Sequence, residues 1–140
     1  MNQFYFVKTD NVEKSVGAIL DSGIEALLID SQSVLCAREI EAARELAKMA
    51  FSEGENISAN LSSEILLFLA CETHVKNAIE KAGAKRGKPA VLAVFGEGRI
   101  ANKKIEFEKF GLEEIKSGFG ECDEIELKKR IERMALSRIN

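Results

Sequence analysis

A chain of 140 residues with 46% hydrophobic and 31% charged positions, one Pro and no Trp has the profile of a folded globular protein rather than a disordered segment. Its net charge of −3 excludes broad electrostatic attraction to nucleic acid, although a local basic patch can hide within such a sum. No run approaches the ~20 apolar residues of a membrane span, and the start MNQFYFVKTDN lacks the basic head and apolar run of a signal peptide. The expectation is one cytoplasmic domain over 1–140.

Alternation in NQFYFVK predicts a strand over about residues 3 to 8, with Phe4 and Phe6 on one side. Asp10 is a suitable N-cap for a short helix carrying Val12, Val16, Ile19 and Leu20, which ends near Gly23. EALLID reads as a buried strand and SVL, after Ser31 and Gln32, as a further extended piece. From Ala37 the period becomes helical. Ile40, Ala43, Leu46, Ala47, Ala50 and Phe51 share a face, Glu39, Glu41, Glu45 and Lys48 point to water, and Gly54 closes the helix.

Asn60 can cap the next helix, whose first turn contains Glu64 beside the positive end of the dipole. Seven consecutive apolar residues, Ile65 to Cys71, follow. Leu61, Ile65, Phe68 and Leu69 form its core stripe, and Leu66, Leu67 and Ala70 lie off it, more apolar surface than one stripe needs. Thr73 caps a further helix with Val75, Ala78, Ile79 and Ala82 on one face, ended at Gly83, so that the two helices form a hairpin or a sharp bend.

PAVLAVFG is the clearest strand and reads as central in a sheet. KIEFEKF alternates as an edge or hairpin strand would, FGEGR before it reads as a turn, and a short helix is expected around Leu112 to Ile115. Asp123 caps a last helix with Leu127, Ile131, Met134, Ala135 and Arg138 on one side. The fold class is α+β, a small mixed or antiparallel sheet packed with several helices.

Reactive chemistry is sparse. His74 is the one histidine, with no nucleophile and orienting carboxylate beside it, and no P-loop, zinc spacing or carboxylate pair stands out. No catalytic residue, metal or cofactor is expected. Cys36, Cys71 and Cys122 are an odd, widely spaced set, read as buried or idle thiols rather than a disulfide or a metal site. Arg38, Lys48, Lys76, Lys81, Lys85, Arg86 and Lys88, and Lys128, Lys129, Arg130 and Arg133, form either basic patches or plain solvated helix faces.

Arg38 with Ala43 and Ala47, then Leu61, Glu64, Ile65 and Leu66, then Val75, Ala78, Ile79 and Gly83 make a pattern. It resembles the kinase-binding accessory subunit family of the KEOPS (EKC) complex, over about residues 25 to 96. The resemblance implies a non-catalytic subunit that binds the small atypical kinase/ATPase, and through it the threonylcarbamoyl transferase subunit. It also implies capture of the tRNA 3′ CCA end in support of threonylcarbamoyladenosine modification. On that footing the surplus helix surface serves the partner, with Leu66, Leu67, Leu112 and Ile115 as candidates. The RNA-facing candidates are Arg38, Lys48, Asn60, Val75, Lys76 and Asn77, cations and a helix start with an apolar wall for a splayed base. Two departures weaken the phosphate contact: Glu39 stands where the family often has His, and Cys71, Glu72 and Thr73 stand where it commonly has Gly-x-Arg. The alternative is a small regulatory or ligand-binding domain with no RNA role.

Overall fold

The computed structural model describes residues 2–96 and 106–139. It is an α+β structure: β1 (Gln3–Lys8), α1 (Val12–Asp21), β2 (Ala26–Asp30), α2 (Ala37–Ser52), α3 (Leu61–Ala70), α4 (Val75–Ala82), β3 (Ala90–Val94), β4 (Glu113–Glu114) and α5 (Glu124–Leu136). The chain divides into two compact units, Met1–Gln32 with Ala84–Gly118, and Ser33–Gly83 with Phe119–Asn140.

The first unit is an antiparallel sheet in the order β2-β3-β1-β4. Leu92 of β3 is the partner of Tyr5 on one side and of Leu28 on the other. Every residue of β3 is buried, which is why AVLAV shows no polar alternation. On one face Val7, Leu28, Leu92 and Val94 pack with Ile19 of α1, Phe110 and Leu112. Burial of such side chains contributes about 1.5–3 kcal/mol each. Asn11, rather than Asp10, caps α1: its Oδ1 accepts from Lys14 N at 3.1 Å. Thr9 decides the choice by accepting from Asn11 N at 3.1 Å while its hydroxyl meets that of Ser15 at 2.8 Å.

Three extended or helical expectations change here. Ser31–Ser33 is a 3-10 turn and Val34–Leu35 is not strand, because Gln32 N bonds back to Asp30 Oδ1 at 3.0 Å and turns the chain. Phe107–Phe110 is a 3-10 turn instead of a strand. Its i, i+3 spacing sets Phe107 and Phe110 together against the sheet core, with Phe107 edge-on to Tyr5 at 5.2 Å between ring centres. The stretch Leu112 to Ile115 is not helical: Glu113–Glu114 pairs with β1, and Ile115 N donates to Phe6 O at 2.9 Å. An open sheet edge satisfied these amides better than a one-turn helix. The turn residues beyond Gly96, and Lys104 with Ile105, lie outside the described residues.

The second unit is helical. α3 and α4 form the expected hairpin, in which Leu66, Leu67, Ala70, Ala78 and Ala82 make a buried cluster with Val75 packed against it. Cys71 ends α3 in the left-handed region (φ 53°), and Glu72 N reaches back to Leu67 O at 3.0 Å, a Schellman closure. His74, not Thr73, occupies the N-cap position of α4, without a side-chain capping bond. Asn60 caps α3 as expected, its Oδ1 accepting from Ser63 N at 2.8 Å. Asp123 caps α5 through Ile125 N and Glu126 N. Cys36 and Cys122 are joined by a disulfide across 86 residues, which corrects the reading of three idle thiols; only Cys71 is free among the described cysteines. Sequence spacing carried no sign of that pair, because the packing of α5 against α2 brings it together.

Candidate functional site

Two of the concave features of the second unit are built around buried carboxylates. The first is a groove of about 480 Å³ whose lining includes Leu46, Met49, Ala50, Ile57, Phe68 and Arg138. Helical spacing puts Met49 at its edge, and the loop before α3 brings in Ile57; they are 55% and 46% exposed. That loop folds around one carboxylate. Glu64, 0% exposed, accepts from Ser58 N at 2.8 Å and Ile57 N at 3.1 Å, and receives Arg138 Nη1 at 2.9 Å. Arg138 in turn lies over the Phe68 ring, 4.1 Å from its centre. One carboxylate thus fixes the loop, the start of α3 and the end of α5.

The second feature is a polar cavity of about 230 Å³ lined by Ser33, Glu39, Cys71, Lys81, Arg130 and Arg133, with Leu69, Ala70, Ala82 and Met134 behind. Glu39, expected in water, is buried. It sits in the first turn of α2, reaches back to Leu35 N at 2.6 Å in the manner of a capping box, and takes Arg130 Nη1 at 3.4 Å. Each cation here has a carboxylate partner: Arg130 has Glu39 and, at 3.3 Å, Glu126; Arg133 shares that Glu126 oxygen at 3.3 Å; and Lys81 has Glu72 at 3.8 Å. These carboxylates offset part of the positive charge that Lys81, Arg130 and Arg133 bring to the cavity. Burial pushes the Cys71 thiol above the ordinary cysteine range; Lys81 and Arg133 pull against that shift, and Glu39 and Glu72 add to it.

The residues singled out in the sequence are distributed along this unit rather than gathered in one cleft. Arg38 is exposed but ion-paired with Glu124, and Lys48 lies 3.8 Å from Glu45. Ten residues of α2 separate the two by about 15 Å of helix axis. The Asn60 side chain is committed to its cap, and the nearby Ile57 and Ser58 amides already serve Glu64, so the chain's own carboxylate fills the place a phosphate would take. Lys76 and Asn77 are exposed at the start of α4, while Val75 is half-buried against the α3–α4 cluster. Leu66 and Leu67 are buried in that cluster, so the surface imagined for them does not exist: α4 covers it. In the sheet unit Leu112 is buried and Ile115 half-buried. What sequence reading missed is Met49 with Ile57 and the pairs Glu39–Arg130 and Glu64–Arg138. Glu39, three residues after Cys36, carried a capping signal; Arg138 carried none.

No group of three or more His, Cys, Asp or Glu among the described residues is arranged to hold a metal, and no helix is long and apolar enough to cross a membrane.

A family model described as kinase binding protein CGI-121 matches residues 7–136. The chain belongs to the CGI-121 family. It is 34% identical over 104 residues to a protein of Pyrococcus abyssi (strain GE5 / Orsay) described as KEOPS complex subunit Cgi121. That alignment takes in 74% of this chain but 60% of the relative, so the chain spans about three-fifths of the length of the curated relative it matches. Within the CGI-121 family match fall the groove and the polar cavity, apart from Ser137 and Arg138, which follow α5.

Proposed function

We propose that this protein is a non-catalytic subunit of a cytoplasmic KEOPS complex. It binds the small atypical kinase/ATPase, and through it the threonylcarbamoyl transferase subunit, and it holds the tRNA 3′ CCA end while the adenosine modification is made elsewhere. The family match over 7–136 carries the reading. The groove supports the kinase half of it. Its lining joins apolar side chains with the charges of Glu53, Glu55 and Arg138, and includes a pliable, exposed methionine, the mixture protein interfaces use. Met49 and Ile57 thereby replace Leu66 and Leu67 as the partner-binding candidates.

The RNA half rests on Arg38, Lys48, Lys76 and Asn77, with Val75 as apolar wall; Asn60, committed to its cap, drops out. A site of two or three cations is compatible with the net charge of −3, since it acts locally. Capture of the purified kinase, and tRNA affinity with and without the CCA end, test the two halves separately. Met49→Glu should abolish kinase capture while the fold persists. Arg38→Glu and Lys76→Glu should each weaken tRNA binding and lower the salt slope by about one. Equal affinity for trimmed and intact tRNA would remove the RNA half and leave the scaffold.

A further inference from the structure

We propose that the Cys36–Cys122 disulfide is a reversible thiol switch that decides whether the head of α5 stays seated on α2. Cys36 is the N-cap residue of α2, and Cys122 directly precedes Asp123, the N-cap of α5. Their Cα atoms are 5.7 Å apart, within the range that disulfides span. Two helix starts are thus tied side by side.

Ahead of Leu127 and of Arg130, which meets Glu39 at 3.4 Å and the Ser33 carbonyl at 3.3 Å, little else holds that end of α5. The neighbouring Arg38–Glu124 pair is 59% and 71% exposed, and such pairs contribute little. The first buried residue of α5 is Leu127. Its far end, by contrast, is fixed by buried Met134 and by Arg138 on Glu64 and Phe68. Opening the disulfide therefore loosens one end of the helix and leaves the other docked.

The two sulfurs differ in access, since Cys36 is buried and Cys122 is half-buried. A small thiolate attacks Cys122 Sγ, the Cys36–Cys122 bond breaks, and Cys36 leaves as a thiolate at a helix N-terminus, where the dipole favours negative charge. A second small thiolate then attacks the small-molecule sulfur of the mixed disulfide. It releases the Cys122 thiolate and the small-molecule disulfide. Both protein thiolates take up protons, so two small thiols are oxidised as one protein disulfide is reduced. A low-molecular-weight disulfide drives the reverse. In the cytoplasmic setting proposed above, a disulfide of this kind is transient rather than a permanent staple.

α5 supplies Arg130, Arg133 and Met134 to the polar cavity and Ala135 to the groove, to which Ser137 and Arg138 just beyond it also contribute. Reduction should reach the cavity, through Arg130, before the groove.

The test uses the full-length protein purified without reductant. Mass spectrometry after alkylation in denaturant should find one labelled cysteine, Cys71, and three after treatment with glutathione. Oxidised glutathione should then restore the single label. Hydrogen exchange should show residues 124–130 losing protection on reduction while 131–136 keep most of theirs, with a fall in Tm of about 10 °C. Cys122→Ser should resemble reduced wild type and ignore reductant; if that variant does not fold, the wild-type redox cycle decides alone. Three labelled cysteines that oxidised glutathione cannot reduce to one would overturn the proposal. So would unchanged exchange at 124–130 on reduction.

Discussion

Replacing Glu64 by Gln removes one charge and almost no volume, so the cost isolates the electrostatics around a carboxylate that is 0% exposed. In the native chain that group accepts from the Ile57 and Ser58 amides and from Arg138 Nη1. A glutamine oxygen can keep only part of this, and its NH₂ must face a donor. Arg138, with its side chain 16% exposed, is left as a largely buried cation without a counter-charge. Breaking a buried pair from one side costs about 3–5 kcal/mol. The Phe68 ring at 4.1 Å and the residual exposure of Arg138 soften this, so a loss of about 3 kcal/mol is expected. For a chain of this size that lowers Tm by about 10 °C. In urea, the midpoint falls by about 1.5 M at an m-value of about 2 kcal/mol/M. Unfolding should be followed by circular dichroism with the slope checked for constancy. Adding Arg138→Met removes the orphaned cation and should recover more than half of the loss, because a buried pair replaced by well-packed apolar groups is often neutral. If Glu64→Gln costs less than about 1 kcal/mol at unchanged slope, or if the second change deepens the loss, the carboxylate does not organise this end of the unit.

Cys71→Gly should stabilise the protein by about 1 kcal/mol in urea unfolding, since glycine adopts the φ of 53° without the strain a Cβ brings. Gly83→Ala should destabilise by about 1–3 kcal/mol on the same assay, because a Cβ there would sit 2.5 Å from the Ile79 carbonyl oxygen and the backbone must shift. The raised Cys71 pKa fixes a sign. Above about pH 9 the unfolded chain has released that proton and the folded one retains it, so stability falls as pH rises through that range. Cys71→Ala should flatten the fall, measured as Tm against pH. Leu67→Glu should leave no folded protein by circular dichroism, because the side chain is fully buried in the α3–α4 cluster, whereas Ile57→Glu at the groove edge should fold and lose kinase capture.

The sequence by itself determined most of the elements and the class. Alternation placed β1, the unbroken apolar run placed β3, and period 3.6 with Asn60 and Asp123 as caps placed α3 and α5, because these signals act within a few residues of chain. The motif pattern pointed to the family that the match over 7–136 then gave. Tertiary structure decided what depended on partners distant in the chain. Leu66 and Leu67 looked like surplus surface because periodicity cannot say what lies against a second face of a helix, and the answer was α4 folding back over them. Glu39 looked solvated because isolated carboxylates belong in water, and Glu64 was legible only as a first-turn residue beside the helix dipole. Arg130 and Arg138, 91 and 74 residues further on, supply the charge that makes their burial tolerable. The edge of β1 drew Glu113–Glu114 into a strand where local pattern suggested a helix, and the Cys36–Cys122 bridge exists only because α5 packs on α2. Local propensity is set by neighbours along the chain, but burial, pairing and cross-linking are set by neighbours in space.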